Sequence, residues 1–158
     1  MVFNIIVSYD IKKCIGNNND LLYDIKEDKK YFRDITIGNK NNSLNVVVMG
    51  KNTWLSIPEN FRPLKDRVNI IISNTLYNDN NKIEDKYQHT FIFPSLDIFL
   101  KNIYENDNFK QFQDPISLRT FWIDEIFIIG GSKLYEEALN NYTINKLYIT
   151  EIEDKEVN

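Results

Sequence analysis

Cysteine and histidine are nearly missing from this chain of 158 residues, with Cys14 and His89 the single examples of each. A lone cysteine has no partner for an intrachain disulfide, and one Cys with one His falls short of a zinc ligand set, which excludes metal chemistry of the usual zinc kind. As a nucleophile Cys14 would need a base, and nothing in the pattern folds His89 back towards it. Cys14 therefore reads as a small packing residue and His89 as a loop residue. Glycine is also scarce, five in all, and no G-x-G-x-x-G dinucleotide fingerprint is formed. No apolar run approaches a membrane span, and the opening MVFNIIVSYD lacks the charged leader and cleavage site of a signal peptide, so a cytoplasmic protein without membrane contact is expected. The net charge of −4 argues against general adhesion to nucleic acid, so an anionic ligand must be held by a local basic cluster. The length suits one domain able to bury roughly two thirds of its unfolded surface.

What is present is a rhythm. Apolar runs at 3–7, 46–49, 68–72, 90–93, 126–129 and 147–152 alternate with helical patterns, as in a sheet built from βαβ units. The first helix spans 24–37, with Ile25, Phe32 and Ile35 at 3.6-residue spacing on its buried stripe. Ser95 is placed to cap a second helix, with Leu96, Phe99, Leu100, Ile103 and Tyr104 on one face. A third opens after Gly130 and Gly131, with Leu134, Tyr135, Ala138 and Leu139 as its buried side. Polar tracts at 38–45, 74–88 and 106–114 read as surface connections, the last as an insertion.

Three places carry chemistry. Gly50 lets the chain leave the strand at 46–49 tightly, and Lys51, Asn52 and Thr53 then open a short helix whose unpaired N–H groups suit an anion. Asp28 lies three residues after Ile25 and four before Phe32, on the face that should be buried. Either it joins Asp24 and Glu27 in complementing the positive end of the helix, or it is a desolvated carboxylate that binds a ligand amidine such as a pterin's N3 and 2-amino edge. Gly130-Gly131-Ser132-Lys133 follows a strand directly, so its backbone can approach a pyrophosphate, although adjacent glycines more often mark only a tight turn.

The strings IGNNNDLLYDIKEDKKYF, VVVMGKNTWLSIPENFRPLKDRVNIIIS, IFIIGGSKLYEEAL and KLYITEI, in this order and spacing, resemble dihydrofolate reductase across nearly the whole chain. The resemblance implies an α/β three-layer sandwich, with helices on both faces of a mostly parallel twisted sheet. It also implies reduction of 7,8-dihydrofolate to tetrahydrofolate by hydride from NADPH, serving thymidylate synthesis and one-carbon metabolism. Residue by residue, it makes Asp28 the pocket acid that holds the pterin and promotes protonation at N5. Thr150 hydrogen-bonds Asp28 and the pterin amino group. Ile6, Val7, Ser8 and Ile129 line the pocket, Phe32 packs on the substrate, Ile57 and Leu64 flank the aminobenzoyl ring, and Arg67 pairs with the glutamate α-carboxylate. For the cofactor it places Ile15 and Gly16 beside the nicotinamide, and Gly50, Lys51, Asn52 and Thr53 at the phosphates. Ser73 and Asn74 fall near the adenosine 2′-phosphate, while Gly130, Gly131, Ser132, Lys133, Leu134 and Tyr135 run along the pyrophosphate and nicotinamide, the two glycines joined by a cis bond. Residues 10–22 resemble the family's mobile cover, Trp54 reads as packing, and antifolates such as methotrexate are implied as ligands.

Four departures qualify the match. Leu21-Leu22-Tyr23 replaces the family's Leu-Pro-Trp, Lys29 stands where an apolar substrate contact is usual, and Asn52 and Asn74 occupy positions that are often basic. The fourth is the end of the chain: family members continue past the strand at 147–152 with a final strand pair, so one domain over residues 1–158, lacking its last two strands, is expected. A gene fragment, self-association through the open sheet edge, and the reductase portion of a fusion with thymidylate synthase each account for that. The competing functions are a non-catalytic truncated NADPH- and folate-binding domain, and a related pterin or pyrimidine reductase.

Overall fold

Val46, Val47, Val48 and Met49 are all fully buried, yet they face opposite ways. Side chains alternate across a strand, so Val46 and Val48 join one apolar cluster with Phe3, Ile5, Ile70, Ile126 and Ile128, while Val47 and Met49 join another with Ile6, Ile71, Phe127 and Ile129. A continuous β-branched run with both faces covered is the reason these segments are strands in the middle layer of three. Each such side chain stabilises the fold by about 1.5–3 kcal/mol on leaving water.

In the computed structural model the described residues are 2–10, 26–38, 43–79, 83–105, 111–113, 118 and 120–152. In chain order they form β1 (Val2–Asp10), α1 (Lys26–Ile37), β2 (Ser43–Gly50), α2 (Lys51–Ser56), a 3-10 turn (Glu59–Phe61), β3 (Val68–Ile72), α3 (Asn74–Asn78), α4 (Ile83–Lys86), β4 (Thr90–Phe93), α5 (Leu96–Glu105), β5 (Gln111–Gln113), β6 (Thr120–Gly130), α6 (Ser132–Asn141) and β7 (Lys146–Ile152). Six strands lie parallel in the order β4-β3-β2-β6-β1-β7, and β5 pairs antiparallel with β6. All six apolar runs read from the sequence are strands of this sheet. Leu96, Phe99, Leu100 and Ile103 of α5 and Leu134 and Ala138 of α6 cover one face. Phe32 and Ile35 of α1, with Trp54 of α2, cover the other.

Several expectations are corrected. Leu139 is exposed: it lies one residue, or about 100° of helix, past the buried Ala138. The tract at 38–45 is not all surface connection, because β2 begins at Ser43 and Asn45 is fully buried. Within 74–88 the chain forms α3, capped by the Ser73 hydroxyl accepting from Leu76 N–H at 3.1 Å, and α4. In the third tract, Gln111–Gln113 is the added strand β5. Cys14, Asp24 and Ile25 lie outside the described residues. His89 is a turn residue, at φ +53 just before β4. Trp54 is packing, 2 % exposed and edge-on to Tyr87 with ring centroids 5.2 Å apart.

Asn45 shows why a polar residue can sit inside a strand. Leu44 and Val46 pair with Ile123 and Ile126 of β6, so two β6 residues oppose Asn45 in a bulge. The Asn45 amide oxygen accepts from Glu125 N–H at 3.1 Å, and its amide nitrogen donates to the Thr36 carbonyl at 2.9 Å. One side chain thus satisfies a bulged ladder and one of the last free carbonyls of α1. Gly38, at φ +68, completes that helix end by returning its N–H to the Asp34 carbonyl at 3.1 Å.

Candidate active site

In a parallel sheet, ligands meet the carboxyl ends of the strands. Here the ends of β2 and β6 touch: a Cβ built on Gly50 would lie 3.9 Å from both the Gly130 carbonyl oxygen and the Gly131 nitrogen. The Gly130–Gly131 peptide is cis, as the resemblance implied, and Gly130 has φ +130. A Cβ on Gly130 would come within 3.3 Å of both the Thr53 hydroxyl and the Tyr135 hydroxyl, so the backbone here is enclosed by side chains of α2 and α6. Gly130 is a glycine for two separate reasons, conformation and space.

Around this point the expected cofactor residues gather on three elements. Gly50 is the N-cap of α2 without a side-chain cap, followed by half-buried Lys51, exposed Asn52 and buried Thr53. Gly131 is likewise the N-cap of α6 without a side-chain cap, which leaves first-turn N–H groups available to an anion. Ser132 and Lys133 are exposed, whereas the Leu134 side chain belongs to the core, so only its backbone is available to a phosphate. Tyr135 donates from its hydroxyl to the Ile6 carbonyl at 2.9 Å, and burial pushes its phenol pKa up, which keeps it a donor. Ser73 follows β3 as the cap of α3, with Asn74 exposed beside it and its amide oxygen accepting from Asn78 at 3.2 Å.

The expected substrate residues converge more closely still. Ile6, Ile57 and Ile129, all buried, and half-buried Phe32 and Leu64 belong to one apolar cluster on the α1 and α2 side of the sheet. Val7 is half-buried on β1. Ser8 and Thr150 are register partners in the β1–β7 ladder, and Asp28 is in the first turn of α1. The side chains of those three, and residues Ile15 and Gly16 with the rest of 11–25, lie outside the described residues.

Arg67 is the clearest electrostatic signal. It is only 5 % exposed, which rules out a solvated surface charge. Its Nε donates to the Lys65 carbonyl at 2.8 Å and its Nη1 to the Thr36 hydroxyl at 3.0 Å. Burial lowers its pKa to about 10, with Asp66 opposing the shift and Arg33 adding to it. It remains a cation at neutral pH, and no ion pair to it is formed among the described residues. A guanidinium has five N–H donors, so three are left for a two-point fork to a carboxylate.

Sequence reasoning missed the residues that set this loop. Asn69, fully buried on β3, grips Leu64 twice: it accepts from its N–H at 3.0 Å and donates to its carbonyl at 2.9 Å. It also donates to the Arg67 carbonyl at 3.1 Å. Arg62 closes the end of α2 by donating to the carbonyls of Ile57 at 2.6 Å and Leu55 at 2.9 Å, with its guanidinium over the Trp54 ring. An asparagine interrupting the β3 apolar run was the one visible signal.

Among the described residues no group of three or more His, Cys, Asp or Glu is arranged to hold a metal, and no helix is long and apolar enough to cross a membrane. The family model described as dihydrofolate reductase matches residues 2–158. Dihydrofolate reductase of Schistosoma mansoni is 36% identical over 154 residues, covering 96% of this chain and 73% of that protein. The viral dihydrofolate reductase of Saimiriine herpesvirus 2 is 36% identical over 153 residues, covering 96% of this chain and 64% of its own length. A bifunctional dihydrofolate reductase-thymidylate synthase of Arabidopsis thaliana is 30% identical over 152 residues, 24% of that protein. The solved Schistosoma mansoni dihydrofolate reductase superposes with a TM-score of 0.73 at 35% identity, over 98% of this chain and 75% of that one. The chain therefore spans part of the length of its relatives, roughly two thirds to three quarters of the monofunctional ones named here. Family model, sequence relatives and superposition agree: the chain belongs to the dihydrofolate reductase family.

Proposed function

We propose that this chain reduces 7,8-dihydrofolate to tetrahydrofolate with NADPH. The observation that carries the substrate half is Arg67, a buried cation with donors to spare beside an apolar cluster of five expected substrate residues. A pterin substrate without a carboxylate tail would give that buried charge nothing to hold.

The enclosed backbone at Gly130 and the uncapped starts of α2 and α6 fit a dinucleotide. Gly50 to Thr53 and Gly131 to Lys133 would hold its phosphates, and Ser73 and Asn74 its 2′-phosphate. When bound, NADPH supplies the hydride. The protein's share is alignment and exclusion of water. Ile6, Phe32, Ile57, Leu64 and Ile129 wall the substrate in, and Arg67 fixes its tail so that the pterin presents one face. Asp28, with Thr150, is assigned to hold the pterin's amidine edge and favour protonation at N5. The family also implies binding of antifolates to the same pocket. A thymidylate synthase partner, fused as in the Arabidopsis thaliana relative, remains a further reading for the whole protein.

The test is NADPH consumption dependent on dihydrofolate, abolished by Asp28→Asn. Equal turnover by the two proteins would remove Asp28 from its role. NADPH binding with no dihydrofolate-dependent consumption would replace the enzyme with a ligand-binding domain.

A further inference from the structure

We infer that Thr36 is a positioning residue for the folate tail, its hydroxyl setting the plane in which the Arg67 guanidinium meets the carboxylate. The inference rests on the reading of Arg67 as the tail's anchor. Thr36 lies in the last turn of α1, fully buried. Its hydroxyl has one proton, donated to the Phe32 carbonyl at 2.8 Å, with the Arg33 carbonyl more distant at 3.5 Å. The oxygen therefore presents lone pairs to Arg67, whose Nη1 donates to it at 3.0 Å.

A guanidinium held at one point can pivot. Held at two, Nε on the Lys65 carbonyl and Nη1 on the Thr36 hydroxyl, the plane is defined, and a two-point carboxylate pair depends on that plane. The platform is itself fixed, because Asn45 donates to the Thr36 carbonyl and takes up the Glu125 N–H of the β6 bulge. The same hydroxyl touches the backbone of Phe32, so one oxygen links the substrate's apolar wall to its charged anchor.

A merely structural threonine would, when replaced, harm all substrates alike. A positioning threonine harms those with the glutamate. The discriminating quantity is the ratio of kcat/KM for 7,8-dihydrofolate to that for 7,8-dihydropteroate, which has the same pterin and aminobenzoyl groups and no glutamate. Measured on one preparation of the full-length protein, the ratio is independent of the fraction folded. Thr36→Val is expected to lower it about 10-fold, mainly through KM for dihydrofolate, as for loss of a buried hydrogen bond to a charged group. Thr36→Ser, which restores the hydroxyl, holds it within about 2-fold of the wild type. If Thr36→Val does not fold, Thr36→Ala carries the same expectation. An unchanged ratio in the hydroxyl-less variant, with a lowered ratio in Arg67→Ala, overturns the role of Thr36 and leaves that of Arg67. An unchanged ratio in Arg67→Ala overturns the tail-anchor reading, and the role of Thr36 with it.

Discussion

The hydroxyl of Tyr135, on α6, donates a 2.9 Å hydrogen bond to the carbonyl of Ile6, on β1. That bond crosses from the helix expected to carry the cofactor's phosphates to the strand expected to line the pterin pocket. Tyr135→Phe keeps the ring and removes the donor. It is expected to cost about 1 kcal/mol of stability, a fall in melting temperature of roughly 3 °C, and to slow turnover more than it weakens NADPH binding. Thermal unfolding with steady-state kinetics checks this, and a variant matching wild type in both would show the bond to be idle.

Gly130→Ala meets two obstacles, φ +130 and a Cβ 3.3 Å from the hydroxyls of Thr53 and Tyr135. Strain of about 1–3 kcal/mol is expected, with weakened NADPH binding because the displaced groups line the same strand end. Calorimetry of unfolding and a fluorescence titration with NADPH give the two numbers. Normal values for both would mean the enclosure yields at no cost.

Asn69→Ala removes three hydrogen bonds at once, two to Leu64 and one to the Arg67 carbonyl. A loss of roughly 2–4 kcal/mol is expected in urea unfolding. Folded enzyme should show a raised KM for dihydrofolate with a smaller change in kcat, since Leu64 and Arg67 are the proposed contacts to the substrate's ring and tail. A change in kcat alone would contradict that placement.

The pH dependence of tail recognition follows from Arg67. Burial lowers its folded pKa from the ordinary guanidinium value to about 10, so the charge is complete well below that value and lost as pH rises through it. The preference for dihydrofolate over dihydropteroate should therefore be flat between about pH 6 and pH 8.5 and decline only on the alkaline side. Parallel pH profiles for the two substrates test it, and a step near neutral pH would assign tail binding to another group.

The strands were legible because uninterrupted β-branched runs have one physical outcome in a covered parallel sheet, and the glycines because few residues can leave a strand so tightly. The family strings then supplied the expected site residues, and five of those expected for the substrate share one apolar cluster. What stayed hidden was polar burial. Asn45 and Thr36 are ordinary loop or surface residues by type, and their burial depends on partners as far apart in sequence as Thr36 and Arg67, 31 residues, or Asn45 and Glu125, 80 residues. No local window contains both ends of such a bond. Leu139 failed for the opposite reason, since an apolar residue on a polar-leaning helix face resembles one on the core face until the neighbouring sheet is present.

The Asn45 bridge gives the molecule a shared datum. Because one amide is fastened to both the β6 bulge and the end of α1, the helix that carries Asp28, Phe32 and Thr36 is referenced to the same strand that ends at Gly130. Errors in placing the two reactants are therefore correlated rather than independent. A substitution at this bulge, midway along β6 and away from the glycines at its end, would shift the folate side of the reaction relative to the cofactor side while touching neither.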